Sequence, residues 1–381
     1  MRRRFIWRFS VILLALGLLM ACGQPVLEEP SRADTQPTGS MELAYAQQFA
    51  VDYYPDGSAL ITIAGSDRFL LLSEGAEPRL ELDEDITLLR QPLDDLYLAA
   101  SSAMDFFQAL DRLDRVRLTS TTASNWSIPE VRDALADGSM LYAGRYSAPD
   151  YELLLSEGSG LAIESTMICH TPEVREQLET LGIPVLVERS SYEPHPLGRM
   201  EWIKLYGLLT GAQEEAAAFF DEQMTRLAPV LEGGEKIDGP TVAFFYISSN
   251  GYANVRKPGD YISKLIEMAG GRYIFDHLDA GDNDLSTINL QMEAFYAGAR
   301  DADILIYNST VDAQLQTLDE LLQKSELLAD FNAFRSGDVW CIGKDMYQQV
   351  TGLGELLADL HKVISGQTET GEELTFLHRL T

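Results

Sequence analysis

The residues that could do chemistry in this sequence are few and scattered. His170 closes the segment Thr166-Met167-Ile168-Cys169-His170, and His195 lies in Tyr192-Glu193-Pro194-His195-Pro196-Leu197-Gly198-Arg199. Both fall where strands are expected to end, which is where open α/β sheets bind ligands. An imidazole there, with Met167 beside His170, could coordinate a metal ion or an iron centre, while the flanking prolines also suit His195 to bracing a turn. Tyr246, Asn250, Tyr252 and Arg256 follow one apolar run, and Tyr347 follows another. Arg145, Arg199 and Arg256 could neutralise an anionic ligand or form structural ion pairs. The sequence has no P-loop, GxGxxG, GxSxG, HExxH or zinc-spaced Cys/His set, so an enzyme reading has no motif behind it. The acidic stretch 279–284 lacks the offsets of an EF-hand loop and reads as a solvated loop.

The chain has 381 residues, 46% hydrophobic, which is enough for about two domain cores. Its 29 Lys and Arg stand against 59 Asp and Glu, a net charge of -30. The phosphate attraction behind nucleic-acid binding is therefore missing. Four of the cations are Arg2, Arg3, Arg4 and Arg8, and they precede the apolar run Val11 to Met20. That order is a secretory signal, with an apolar core about half the length a membrane-spanning helix needs. Leu19-Met20-Ala21-Cys22 then resembles a bacterial lipobox, which makes residues 1–21 a signal peptide and Cys22 the lipidated first residue. Residues 22–42, Pro-rich and polar, read as a flexible tether. Cys169 and Cys341 read as buried free thiols.

These candidates need a scaffold, and apolar periodicity supplies one. Phe49 to Tyr53 and Ala59 to Ile63 flank Tyr54-Pro55-Asp56-Gly57 as a hairpin, with a further strand at Phe69 to Leu72. Beyond residue 86, short β-like runs at 116–118, 161–163 and 183–187 alternate with helical segments at 104–113, 128–136 and 171–181. Such alternation predicts a parallel α/β sheet. Thr171 is placed to cap the third helix ahead of Pro172. From Met200 the pattern turns helical, and Thr210 with Gln213 has capping-box spacing ahead of one long helix over about 211–231. A second α/β set follows: strands at 241–246, 304–307 and 339–342, and helices at 261–269, 290–297 and 353–364. The organisation is an N-terminal lobe over 43–200, inter-lobe helices over 201–237 and a C-terminal lobe over 238–381.

Several strings in this order resemble the substrate-binding lipoproteins of bacterial ABC importers whose two lobes are joined by one rigid helix. They are Ala143-Gly144-Arg145-Tyr146-Ser147-Ala148-Pro149-Asp150-Tyr151-Glu152, Leu181-Gly182-Ile183-Pro184-Val185, Gly207-Leu208-Leu209-Thr210-Gly211, Glu293 ahead of Ala302-Asp303-Ile304-Leu305-Ile306, and Arg335-Ser336-Gly337-Asp338-Val339-Trp340. The resemblance implies two Rossmann-like α/β lobes with parallel central sheets and a ligand cleft between them. It also implies an extracytoplasmic, lipid-anchored, monomeric protein with no intrinsic cofactor and no catalysis. Such a protein hands a ferric siderophore, haem or cobalamin to an ABC permease with its ATPase. Glu152 and Glu293 match the carboxylates that dock on the permease, and Arg145 with Tyr146 matches a loop that faces the ligand. A bare Zn or Mn ion as cargo, or a surface enzyme or adhesion lipoprotein on the same scaffold, are the alternatives.

Overall fold

A computed structural model describes residues 36–78, 83–233, 238–279, 286–310, 313–369 and 372–381. The signal segment and Cys22 lie outside the described residues. The polypeptide that follows is tied down early, because Gly39–Ser40, inside the stretch expected as tether, pairs antiparallel with Phe49–Tyr53. The expected hairpin is present, with Tyr53 opposite Ala59 and Gly57 at φ +83° in the turn. Asp67–Leu72 and Ile86–Arg90 complete a five-stranded sheet.

This sheet leads into the first lobe through an unusual clamp. Glu201 accepts hydrogen bonds from the backbone N–H groups of Ala44, Tyr45 and Ala46 at 2.8–2.9 Å. Glu193 accepts those of Gln47 and Gln48, together with the indole N–H of Trp202. Five consecutive N–H groups thus converge on two buried carboxylates, so none of these donors is left unpaired. For Glu201 burial pushes the pKa up, but Lys204 and the three N–H donors outweigh it and hold it below the ordinary value.

The first lobe has an all-parallel sheet in the order Val185–Glu188, Ala162–Ser165, Leu96–Leu98, Val116–Thr119, Leu141–Tyr142. The short strands at 96–98 and 141–142 carry too few residues for a periodic signal. Helices Pro129–Asp137, Tyr151–Ser156 and Pro172–Thr180 alternate with the strands. Thr171 occupies the cap position of the last helix, but its side chain makes no capping bond. The second lobe is mixed: Thr241–Ile247, Ile304–Asn308 and Val339–Ile342 run parallel in the middle, Ala253–Arg256 and Leu377–Arg379 flank them antiparallel, and Thr287–Leu290 pairs antiparallel with Ala253–Arg256.

Between the lobes, Ile203–Thr210 leads into Gln213–Glu232, a helix of 20 residues and about 30 Å. The expected capping box is not formed. Thr210 ends the preceding helix, its hydroxyl donating to the Tyr206 carbonyl, and Gly211 at φ +71° turns the chain. Gly207 lets the two helices touch, since a Cβ there would stand 2.5 Å from the Ala216 methyl. Phe106 and Phe107 of the first lobe pack on Tyr206 at 4.8 and 5.3 Å, joining that lobe's core to the inter-lobe helices.

Candidate functional site

The two lobes meet through more than the long helix. Gln348, just beyond the strand Val339–Ile342, reaches the first lobe. Its Oε1 accepts from the Ser127 N–H and hydroxyl at 2.7 Å, and its Nε2 donates to the Asn125 carbonyl at 2.8 Å. Asp105 of the first lobe accepts the N–H and hydroxyl of Thr351 at 2.7 and 2.6 Å. Burial outweighs these two bonds and raises Asp105 to about 6.

Elsewhere, three of the residues singled out from the sequence gather around one that was not. Arg199 lies with its guanidinium carbon 4.0 Å from the ring centre of Tyr261, and Arg256 approaches the same ring at 5.2 Å and that of Tyr347 at 6.0 Å. Both arginines are about 95% buried. The guanidinium of Arg256 also bonds the Tyr261 hydroxyl and Ser286, and pairs with Asp260 at 3.3 Å. Burial works against its charge, but Tyr261 and Asp260 outweigh that and leave its pKa above the ordinary value. Cation–π and ion-pair contacts of this kind hold a guanidinium inside a protein. At the end of Val185–Glu188 the buried Glu188 carboxylate faces Arg199, and burial raises its pKa. The Nε atoms of Arg189 and Arg199 have no hydrogen-bond acceptor among the described residues, whereas that of Arg256 faces the Asp260 carboxylate.

A second cluster lies at the strand ends of the first lobe and has the opposite character. Glu164, in the strand Ala162–Ser165, is 0% exposed, and neither carboxylate oxygen has a partner among the described residues. Burial alone pushes it up to about 8. The Tyr97 ring is equally buried and its hydroxyl is also unpartnered; Ser120 stands beside it without a bond of good geometry. Tyr97 and Tyr151 both feel the charge of Glu164.

The remaining candidates are spread more widely. Met167 is 46% exposed, and His170 is exposed in the 3-10 turn Thr166–His170. Cys169 of that turn is exposed, which corrects the expectation of a buried thiol, because the tight turn points every residue but Ile168 away from the core. Cys341 is buried beside Ser309 as expected, and both thiols are free. His195 stacks on Tyr45 at 4.6 Å, and its Nδ1 accepts the Leu197 N–H to cap Pro196–Glu201. Burial and Lys264 lower its pKa. Asn250 and Tyr252 stand exposed at the hairpin tip joining Thr241–Ile247 to Ala253–Arg256, and Tyr246 is partly buried below them. Arg145 is exposed on the hairpin pairing Gly144–Arg145 with Ala148–Pro149, and Tyr146 packs against its own lobe. Glu152 and Glu293 are both exposed in the first turns of short helices, Tyr151–Ser156 and Met292–Ala299. Among the described residues no three His, Cys, Asp or Glu side chains gather to hold a metal ion.

Sequence reasoning passed over Tyr261, Asp260, Glu164 and Tyr97. Two of them left a trace: Asp260 stands four residues after Arg256 at a helix start, and Glu164 interrupts the apolar run Leu161-Ala162-Ile163.

No family model matches the chain. An uncharacterised lipoprotein of Methanocaldococcus jannaschii is 22% identical over 363 residues, covering 88% of this chain and 84% of its own length. Among solved structures, a periplasmic binding protein of Veillonella parvula aligns with a TM-score of 0.60 at 15% identity, covering 81% of this chain and 98% of its own. A periplasmic haem-binding protein of Pseudomonas aeruginosa gives 0.56 at 17%, over 76% and 99%. An ABC-type Fe3+-hydroxamate transport protein of Saccharomonospora viridis gives 0.52 at 20%, over 71% and 93%. The chain has the two-lobed α/β fold of these binding proteins, as the resemblance in its sequence implied.

Proposed function

We propose that this protein is the extracytoplasmic substrate-binding lipoprotein of an ABC importer, anchored through Cys22, that captures an iron complex, either a ferric siderophore or haem, or a corrinoid. The observation that carries this reading is the pair of buried arginines, Arg199 from the helix Pro196–Glu201 at the end of the first lobe and Arg256 from the second lobe, sharing the Tyr261 ring where the two α/β lobes meet. In a chain of net charge -30, two buried cations side by side are a place for the carboxylates or anionic oxygens of a metal chelate. Tyr347 and Tyr252, each 37% exposed, offer flat aromatic surface to a macrocycle or chelate ring.

Glu152 and Glu293 are the docking carboxylates in this reading, one on each lobe. Their spacing is kept by the long helix, and they set the register against cationic pockets of the permease. The chain acts without catalysis and as a monomer, and the permease ATPase drives release. Closure is small, because one helix bends less than a hinge of several strands and Gln348 already joins the lobes.

The test is a tryptophan-fluorescence titration of the detergent-solubilised chain against haemin, cobalamin and a panel of ferric siderophores. Saturable quenching with a submicromolar Kd by one of them, weakened at least tenfold by Arg256→Gln, is the expected result. Silence from every one of them with a folded protein sinks the reading.

A further inference from the structure

The arginine cluster explains how an anionic part of a ligand would be met, and it leaves the first lobe unexplained. Glu164 is fully buried at the carboxyl end of a parallel strand, both its oxygens are without partners, and the equally buried Tyr97 hydroxyl is unpartnered as well. Leaving a buried polar atom unpaired costs about 1–3 kcal/mol, and a sheet can avoid that with an apolar side chain. The neighbours on that face are small or apolar, among them Ala99, Ala143 and Leu118. Every other buried carboxylate described above has donors: Glu201 and Glu193 hold backbone N–H groups, Asp105 holds Thr351, and Glu188 holds the Ser190 N–H.

We propose that Glu164, with the Tyr97 hydroxyl, forms a subsite in the first lobe for a positively charged, proton-donating group of the transported ligand, such as an alkylammonium arm. This rests on the transport reading and narrows its substrate class to chelates of uneven charge, with acceptors toward Arg199 and Arg256 and a cation toward Glu164. Tyr151, half-buried in the first turn of its short helix and within range of the Glu164 charge, is the side chain that turns aside to admit the arm. Its ring then lines the entry, where an aromatic face favours a cation. Entry of the ammonium lets Glu164, held neutral by its burial, ionise and release a proton. The group that loses the proton is the Glu164 carboxyl, and solvent takes it up.

The probes are ferrioxamine B, a ferric trihydroxamate with a pendant ammonium, and the same complex N-acetylated to remove that charge. With the detergent-solubilised chain at pH 7, the ammonium form binds at least tenfold more tightly, and calorimetry in buffers of different ionisation enthalpy reads about one proton released. In Glu164→Gln the two forms bind equally and the proton release is gone; Tyr97→Phe lowers the ratio without abolishing it. Equal affinities in the unmodified chain, or a ratio that survives Glu164→Gln, overturn the subsite while transport of iron chelates stands. Binding of haemin alone, whose side-chain charges are carboxylates, also overturns the subsite alone. No binding of either probe, haemin or cobalamin overturns the transport reading and the subsite with it.

Discussion

The two clusters at the strand ends handle buried charge in opposite ways. Around Tyr261, the Arg256 guanidinium meets a carboxylate, two ring faces and two hydroxyls, so its charge is kept. In the first lobe Glu164 meets nothing of the kind and gives up its charge to burial. Sheet topology contributes to the difference. In the second lobe the strand Ala253–Arg256 runs antiparallel to Thr241–Ile247 and leads straight into Asp260 and Tyr261, so one short stretch of chain supplies both the cation and its partners. In the sheet that carries Glu164 every strand is parallel, each strand end belongs to a different stretch of chain, and no local segment arrives to compensate it. A cluster compensated by its own stretch of chain keeps its charge whether or not a ligand is bound, whereas Glu164 does not.

The sharpest way to break this comparison is pH. Glu164 moves from an ordinary 4.5 to about 8 on folding, so between those values the folded state holds a proton that the unfolded chain lacks. Its contribution is fully present below pH 4.5 and is lost as pH rises through 8. At 1.36 kcal/mol per unit the swing is about 5 kcal/mol. Denaturation curves of the unmodified chain and of Glu164→Gln, measured at steps from pH 5 to 8.5, are expected to converge at the acid end. They should separate in favour of the variant at the alkaline end, and parallel curves would show that Glu164 is compensated after all.

The next effect comes from the other cluster. Arg256→Met strands Asp260 without its ion partner, and breaking a buried pair from one side costs about 3–5 kcal/mol. Urea denaturation at pH 7 should show a loss near 4 kcal/mol. A loss below about 1 kcal/mol would mean that the second-lobe cluster is no better matched than the first.

The smallest effect tests the link between the lobes. Gln348→Ala removes three hydrogen bonds that cross from one lobe to the other, worth about 2 kcal/mol together. Small-angle scattering of this variant should give a larger radius of gyration than the unmodified chain, with both clusters intact. An unchanged radius would assign the lobe spacing to the long helix and the Asp105–Thr351 contact.

Apolar periodicity and turn residues made the hairpin at 49–63, the alternation of strands and helices, and the long helix legible in the sequence, because those features depend on neighbours in the chain. The opening strand at 39–40 and the antiparallel flanks of the second lobe were not legible. Gly39–Ser40 is a strand only because Phe49–Tyr53 lies beside it, and Thr287–Leu290 pairs with Ala253–Arg256 from some thirty residues away. The Thr210 capping box failed for a related reason, since Gly211 ended one helix where the spacing alone would have begun another.

The site divides the same way. Residue type and position relative to a strand were enough to mark Arg199, Arg256 and Tyr347, and to put Glu152 and Glu293 in exposed first turns of helices. Only the tertiary structure showed that the first three share surroundings with Tyr261, that His195 is spent on a helix cap, and that Glu164 has lost its water without gaining a partner. Charge, periodicity and capping are written in local sequence, but desolvation and pairing are set by atoms that the fold brings in from far along the chain, and these decide which of many polar residues is left with work to do.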